Sequence, residues 1–577
     1  MRGLVGKAWD RLDSLPQQDR GKNGMNTQST PQDTLGEPSG EFDYVVVGGG
    51  TAGCLLANRL SANPSTRVLL LEAGGRDNYI WFHIPVGYLF LIGNPRADWM
   101  FKTEPSMGLN NRSLIYPRGK VIGGCSAING MIYMRGQAED YDGWAQAGLS
   151  GWGWNDVLPY FLRHEDHYAG THGDHASGGE WRIEEGRMRW EILDAFRDAA
   201  ASVGIPKTAD FNRGDNTGSA YFQVNQRAGL RWTTARAFLD PIKTRQNLEI
   251  RTGAEVARIE IGEGRAKGVV FRQNGTMRHV RATTRVVLAA GAVASPKLLM
   301  LSGIGPAAHL ADNGINPVLD RAGVGANLQD HLQLRPVYKV SGVRTLNTDY
   351  ANLAKRAWMG IEFALFRRGA MTLAPSQLGV FAKSDPRFST PNLQFHIQPL
   401  SLDKFGEPLH RFGAFTASVC NLRPTSRGSI RLAGPDPFAA PRIAPNYLST
   451  DDDRQVAIDA LKLVRRIVAA EPLAQYHPEE YRPGASISDD SGLLNAAGEI
   501  GTTIFHPVGT AKMGLAHDPD AVVDAQLSAI GIDGLSVVDA SVMPKITSGN
   551  TNSPTLMIAE KGAEMILAAD RQARRVA

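Results

Sequence analysis

Cysteine is scarce in this chain of 577 residues: there are three, Cys54, Cys125 and Cys420, far apart and with no C-x-x-C pair. That spacing excludes a disulfide framework and the cysteine-based zinc and redox motifs. No H-E-x-x-H occurs and His and Cys do not cluster, so no metal site is expected. No apolar run reaches the about 18 residues that a membrane-spanning helix needs, which leaves peripheral membrane contact open. Neither sign of charge is in excess, with 62 Lys+Arg against 58 Asp+Glu and a net charge of +4, and no Lys/Arg tract is present. Nucleic acid is therefore not an expected partner. The first 41 residues lack a secretory apolar core, because the apolar residues around Leu4, Trp9 and Leu15 are broken by Lys7, Asp10, Arg11 and Asp13. They read as a disordered or weakly helical extension in which Met25 is an alternative start, and a cytoplasmic location is expected.

What the chain does have is a strong opening after that extension. A content of 42% hydrophobic residues fits a globular protein, and the length is too great for one core. Residues 43–75 read DYVVVGGGTAGCLLANRLSANPSTRVLLLEAGG. The apolar run Tyr44 to Val47 predicts a buried parallel strand, and Gly48-x-Gly50-x-x-Gly53 follows it, with Thr51 and Ala52 opening a helix that carries Leu55, Leu56 and Leu60. A second apolar run, Val68 to Leu71, ends in Glu72, where a dinucleotide site needs a carboxylate for ribose hydroxyls, about 20 residues beyond the glycines. Glycines there let the backbone approach a pyrophosphate at a helix N-terminus, whose unpaired N–H groups favour negative charge. Cys54 falls inside that helix and reads as a small buried hydrophobe.

Residues 118–136, RGKVIGGCSAINGMIYMRG, hold five glycines; Gly123, Gly124 and Asn129 suggest main chain lying flat against a planar ligand. Strand-rich runs at 247–261 and 268–280 suit an adenine pocket near Val256, and the strand at 285–290 leads to a helix expected to start at Ser295-Pro296. Between 332 and 483 the character changes: segments 372–381, 392–400 and 412–424 read as strands of a second sheet, with an amphipathic helix at 454–470 packed across it.

The 118–136 stretch resembles the first signature of the glucose-methanol-choline oxidoreductases, flavoproteins that oxidise alcohols with FAD. Further motifs are similar to that family: GAVASPKLLMLSGIG at 291–305, GVGANLQDH at 323–331, NLRPTSRGSIRL at 421–432, FHPVGTAKMG at 505–514 and residues 537–566. The resemblance, in its choline and alcohol dehydrogenase-like branch, runs from about Asp43 to the C-terminus. It implies an α/β (α+β) fold, a Rossmann-like FAD-binding domain with an interleaved antiparallel-sheet substrate domain. The expected division is a disordered extension over 1–41, an FAD-binding domain from 42–160, 215–331 and 505–577, and a substrate-binding domain from 161–214 and 332–504.

The resemblance also implies site roles. His506 matches the family's active-site histidine, and an imidazole accepts a proton at neutral pH. Asn550 resembles the paired position in its His-Asn version, with an amide able to hold the substrate oxygen; its neighbour Asn552 could share that duty. The cofactor-contacting positions are Gly48, Gly50, Thr51, Ala52, Gly53, Glu72, Val121, Gly124, Asn129, Gly130, Met131, Val256, Asp539 and Ala540. Ser553 reads as an N-cap and Pro554 as a first helical residue, aiming a helix N-terminus at the flavin. Some relatives attach FAD through a histidine at the position of Ile128, so non-covalent FAD is expected. The implied reaction is oxidation of a primary alcohol to an aldehyde by hydride transfer to flavin N5, with His506 as base and a quinone, another acceptor or oxygen taking the electrons. Arg118, Arg423 and Arg427 lie in motifs without an assigned catalytic role.

Choline-oxidising relatives carry a glutamate where Gln377 aligns, so choline is expected to be poor and a neutral primary alcohol better, in a pocket lined by Phe381, Phe395 and Leu400. The family also contains hydroxynitrile lyases and a light-driven fatty-acid decarboxylase that uses a cysteine near an Arg-Pro motif; here Cys420 lies close to Arg423-Pro424. A flavin-dependent lyase or photodecarboxylase, or a non-enzymatic flavoprotein, is the alternative reading.

Overall fold

Two sheets of opposite character organise the chain in a computed structural model that describes residues 37–403 and 407–576. The first has seven strands, six of them in the order Ala254–Gly262, Arg265–Gln273, Thr276–Leu288, Glu41–Val47, Val68–Glu72 and Leu248–Thr252, with Leu535–Val537 added beside Thr276–Leu288. Its centre is parallel: Val47 lies level with Leu71 on one side and Leu288 on the other. These runs are Val- and Leu-rich because helices cover both faces. One cover is Thr51–Leu60, which packs against the C-terminal helix Asn552–Val576. The carboxyl ends of four strands, at Val47, Glu72, Leu288 and Val537, therefore open onto one crevice, where ligands bind in open α/β sheets.

The second sheet is antiparallel, with strands in the order Glu479–Arg482, Val337–Lys339, Ala414–Asn421, Leu393–Gln398, Leu378–Ala382 and Gly218–Tyr221; Leu332–Leu334 and Gly501–Thr503 complete its eight strands. Side chains alternate across it. Phe395, Ile397, Phe415, Ala417 and Val419 pack in one core with Val456, Leu461 and Val464 of the helix Asp451–Val468. Gln394, His396 and Gln398 point the other way, so a fully buried strand carries a polar face.

The fold class is the expected one, with local corrections. Residues 1–36 of the expected extension lie outside the described residues, whereas the Ser39 hydroxyl already donates to the His279 carbonyl (2.9 Å) and a strand starts at Glu41. Gly218–Tyr221, inside the stretch expected in the FAD-binding domain, pairs instead with Leu378–Phe381 of the antiparallel sheet. A four-residue strand has too short a pattern to declare its sheet. The helix expected to begin at Ser295-Pro296 begins at Gly291, with Pro296 inside it. Proline cannot donate to the Ala292 carbonyl one turn back, and the Thr510 hydroxyl does so instead at 2.6 Å. The C-terminal helix likewise starts at Asn552, one residue before the expected cap Ser553, whose hydroxyl is buried with no partner.

Candidate active site

A single cavity runs from the strand ends of the first sheet to the polar face of the second. At the first end, Gly48, Gly50, Thr51, Ala52, Glu72, Gly124, Val256, Asp539 and Ala540, all among the positions expected at the cofactor, line it. The helix Thr51–Leu60 has no side-chain cap and no acidic residue in its first turn, so its leading N–H groups are offered to the cavity. Glycine is required on steric grounds: a Cβ on Gly124 (φ +52) would lie 2.6 Å from the Gly50 Cα, and one on Gly53 would lie 1.8 Å from the Gly48 carbonyl oxygen. Gly53 thus does not line the cavity; it lets the helix close onto the turn. Val121, also expected at the cofactor, is buried away from the cavity and bridges to Gly75.

Glu72 ends its strand with one carboxylate oxygen accepting from the Gly49 N–H (2.8 Å) and the other from the Gly74 N–H (2.7 Å). Burial raises its carboxyl to about 7 against the pull of those two donors and of Lys120. Asp539 accepts from the Gly291 N–H (2.8 Å), the Ser295 hydroxyl (2.6 Å) and the Ser541 N–H (2.8 Å), which ties the 291–305 and 537–566 motifs together at the cavity wall. Thr51 donates to Asn552 Oδ1 at 2.9 Å, so the N-termini of two helices meet there, and the buried Asn552 Nδ2 has no partner. Asn129 Oδ1 accepts from the Met131 N–H (2.9 Å) and Arg231 (3.0 Å), and Asn129, Gly130 and Met131 line the middle of the cavity beside Ile128. A glycine cradle, an uncapped helix start and an orphaned amide fit a dinucleotide cofactor, held by these residues.

His506 and Asn550, 44 positions apart, come together: His506 Nε2 lies 3.1 Å from Asn550 Nδ2. On its other side, His506 Nδ1 is 3.1 Å from His331 Nδ1, and His331 Nε2 is 3.1 Å from the Leu422 carbonyl. The chain of contacts fixes every proton. A carbonyl only accepts, so His331 carries its proton on Nε2 and its Nδ1 is bare. That bare nitrogen takes the proton on His506 Nδ1, which leaves the His506 Nε2 lone pair directed at the Asn550 amide N–H. Gln394 Nε2 donates to Asn550 Oδ1 (3.3 Å) and so keeps the amide turned this way. Both imidazoles are neutral: burial, followed by the neighbouring His331, His396 and Arg118, holds His506 well below the usual range, and burial lowers His331 to about 4.

Asp330 underlies the pair. Its Oδ1 accepts from the backbone N–H groups of His331 (2.9 Å) and His506 (2.8 Å), and its Oδ2 accepts from Tyr116 (2.9 Å), Tyr447 (2.5 Å) and Thr503 (2.6 Å). Phe505 is held at φ 72, an unusual conformation for a side chain of this size, with Thr503 accepting from its N–H (2.8 Å) and Arg118 donating to its carbonyl (2.7 Å). Strain retained next to a buried imidazole marks a site that the surroundings over-determine. Asp330, His331, Gln394 and Arg118 surround this pair and were left unassigned by sequence reasoning; Asp330 and His331 stand in the quoted GVGANLQDH motif and Arg118 opens the 118–136 motif, which are the available signals.

The substrate end departs from expectation. Phe381, Phe395 and Leu400 do not line the cavity, nor does Gln377; Gln333, Ser376, His396 and Gln398 do, with Ile132 and Ile504. Phe395 points into the helix-covered core, and strand alternation decides that. Several buried polar atoms on or beside this face have no partner: His396 Nε2, Gln394 Oε1, Ser418 Oγ and Gln377 Oε1. The cavity's carboxylates, Glu72, Glu255 and Asp539, belong to the nucleotide side. Cys420 is absent from the lining, and burial pushes its thiol far up, which removes the feature behind the photodecarboxylase reading. Among the described residues no His/Cys/Asp/Glu group is placed to hold a metal ion.

Two models of one protein family, described as GMC oxidoreductase, match residues 42–333 and 424–559. The chain is 40% identical over 531 residues to an alcohol dehydrogenase [acceptor] of Pseudomonas putida, covering 91% of this chain and 96% of that one. It is 38% identical over 528 residues to an oxygen-dependent choline dehydrogenase of Brucella suis, with the same coverage of 91% and 96%. Among solved structures it is similar to pyridoxine 4-oxidase from Mesorbium loti (34% identity, TM-score 0.82, 91% and 98% of the two chains). An FAD-dependent oxidoreductase from Chaetomium thermophilum superimposes with a TM-score of 0.84 at 26% identity, over 92% and 100% of the chains.

Proposed function

This chain belongs to the GMC oxidoreductase family, and we propose on that premise that it oxidises a primary alcohol to an aldehyde with non-covalently bound FAD. The observation that carries the reading is the His506 Nε2 lone pair, presented to the cavity beside the Asn550 amide. When bound, FAD supplies the hydride acceptor, its N5. A hydroxyl entering between the two side chains donates its proton to His506 Nε2 and accepts from Asn550 Nδ2. The amide then steadies the negative charge that develops on oxygen as the proton leaves. Loss of that proton to His506 and of a hydride from the carbon balances the step to an aldehyde, and the electrons pass on to an acceptor.

The substrate end supports a neutral alcohol over choline. A quaternary ammonium is best offset by an anion, whereas the cavity's carboxylates belong to the nucleotide side and the polar residues at this end are Gln333, Ser376, His396 and Gln398. Ile128 lines the cavity and offers no nucleophile for flavin attachment, in support of dissociable FAD. A cytoplasmic location belongs to this proposal and is supported by three free cysteines, Cys54 and Cys420 being buried.

His506→Ala should retain FAD but slow its anaerobic reduction by a primary alcohol about 10²- to 10⁴-fold. Asn550→Ala should slow it less, by one hydrogen bond. An unchanged rate in the His506 variant would remove the mechanism.

A further inference from the structure

An ordinary surface helix turns its apolar side inward. The helix Leu353–Phe366, LAKRAWMGIEFALF, does the reverse. At 100° per residue, Leu353, Ala354, Ala357, Trp358, Gly360, Ile361, Ala364 and Leu365 fall on one arc of about 160°, and no polar residue interrupts it. That arc faces outward: Leu353 is 71% exposed, Trp358 52%, Ile361 48% and Leu365 68%. Phe363, on the opposite side, is buried at 3% and ties the helix to the protein. Order does not depend on covering the arc, because Asn352 caps the start by accepting from the Lys355 N–H (3.1 Å) and Arg367 closes the end in a left-handed conformation (φ 51).

Charge decides what covers it. Residues 344–368 hold five basic side chains, Arg344, Lys355, Arg356, Arg367 and Arg368, against Asp349 and Glu362. Both acids are already taken: Asp349 pairs with Arg344 and with Lys355 (2.7 Å), and Glu362 with Arg368 (3.1 Å). Among the described residues, Arg356 and Arg367 pair with no carboxylate. A second copy would bring like charges face to face, whereas an anionic lipid surface is complementary to an apolar arc with a tryptophan and basic flanks.

We propose that this helix docks the enzyme on an anionic membrane surface, lying in the interface without crossing it; no helix among the described residues is long and apolar enough to span. The turn Ala370–Thr372 joins it to Pro375 and Ser376, which line the cavity. Docking therefore sets that cavity wall one short connection from the bilayer.

The test is flotation of the FAD-loaded full chain with vesicles of phosphatidylcholine, alone or mixed with phosphatidylglycerol. Wild type should float with the anionic vesicles. Ile361→Glu combined with Leu365→Glu should lower that binding at least about tenfold, since each replaces an exposed apolar side chain that docking would bury in the interface. Arg356→Glu with Arg367→Glu should lower binding to anionic vesicles and leave the weak binding to phosphatidylcholine as it was. All three proteins should keep their flavin and its rate of reduction by alcohol, so a failure of the proposed alcohol oxidation is read separately from a failure of docking. Wild type that floats with neither vesicle overturns the proposal, as does floating by the Ile361/Leu365 variant equal to wild type. A wild-type dimer that this variant splits, with no floating by either, assigns the face to self-association and also overturns it.

Discussion

His331→Leu tests the proton arrangement at its least obvious member. His331 is argued to act through His506: its bare Nδ1 accepts the His506 Nδ1 proton over 3.1 Å and thereby leaves Nε2 free. Leucine fills similar space and accepts nothing, so His506 Nδ1–H becomes a buried donor without a partner, at a cost of about 1–3 kcal/mol. The other tautomer, with its proton on Nε2, escapes that cost once the Asn550 amide turns its oxygen toward it, but it cannot take a hydroxyl proton. The competent fraction should fall by the same free energy, about 5-fold to about 150-fold in the rate of anaerobic flavin reduction, at about 1.4 kcal/mol per decade. His331→Asn supplies the control. Its Oδ1 sits on Cγ where the imidazole Nδ1 stood and can accept the same proton, so most of the rate should return even though the contact with Leu422 is lost. Stopped-flow loss of flavin absorbance on mixing with alcohol measures both, with flavin content as the check on folding. A Leu variant as fast as wild type, or an Asn variant no faster than Leu, would show that His331 does not set the tautomer.

Stability should fall on acidification. His331, His396 and His506 all have folded values below the usual 6.5, with His331 near 4 and His396 near 3, chiefly through burial. The unfolded chain therefore binds protons first as pH drops through about 6.5, and each imidazole removes up to about 1.4 kcal/mol per pH unit below it, down to its folded value. Glu72, raised to about 7, and His175, also raised, take up protons first in the folded state and oppose this loss over part of the range. Denaturant titrations from pH about 7.5 to about 5 should still show a net fall, and a gain in stability would contradict neutral burial. Gly53→Ala should abolish FAD retention or soluble expression, because its Cβ meets the Gly48 carbonyl at 1.8 Å. Gly50→Ala, whose Cβ finds only the Gly124 Cα at 3.9 Å, should fold yet hold FAD more weakly; flavin content and circular dichroism separate the two. Acid precipitation should release FAD into the supernatant, and flavin kept in the pellet would mean covalent attachment at a residue other than Ile128.

The nucleotide half of the protein was legible from the chain because its signals are local. Strand, glycines, helix and terminal acid lie within residues 43–75, and the backbone rules that require glycine at Gly48 and Gly53 act over a few residues. Helix starts were less legible: Pro296 is tolerated inside its helix because the Thr510 hydroxyl, distant in sequence, donates to the Ala292 carbonyl, and Ser553 sits one residue inside its helix with its hydroxyl unpartnered. His506 and Asn550 were found through their motifs, yet nothing in either motif states that their side chains meet. What only the tertiary structure decided is the state of the site. His331 and Asp330 come from one loop, Gln394 from near the start of a strand in the other sheet, and Leu422 from just past the end of the strand paired with it, and their convergence assigns the proton on His506. The same holds for the substrate wall: composition showed aromatic residues in the second sheet, but a strand has two faces. Packing against the helix Asp451–Val468 sent Phe395 into the core and left His396 and Gln398 at the cavity.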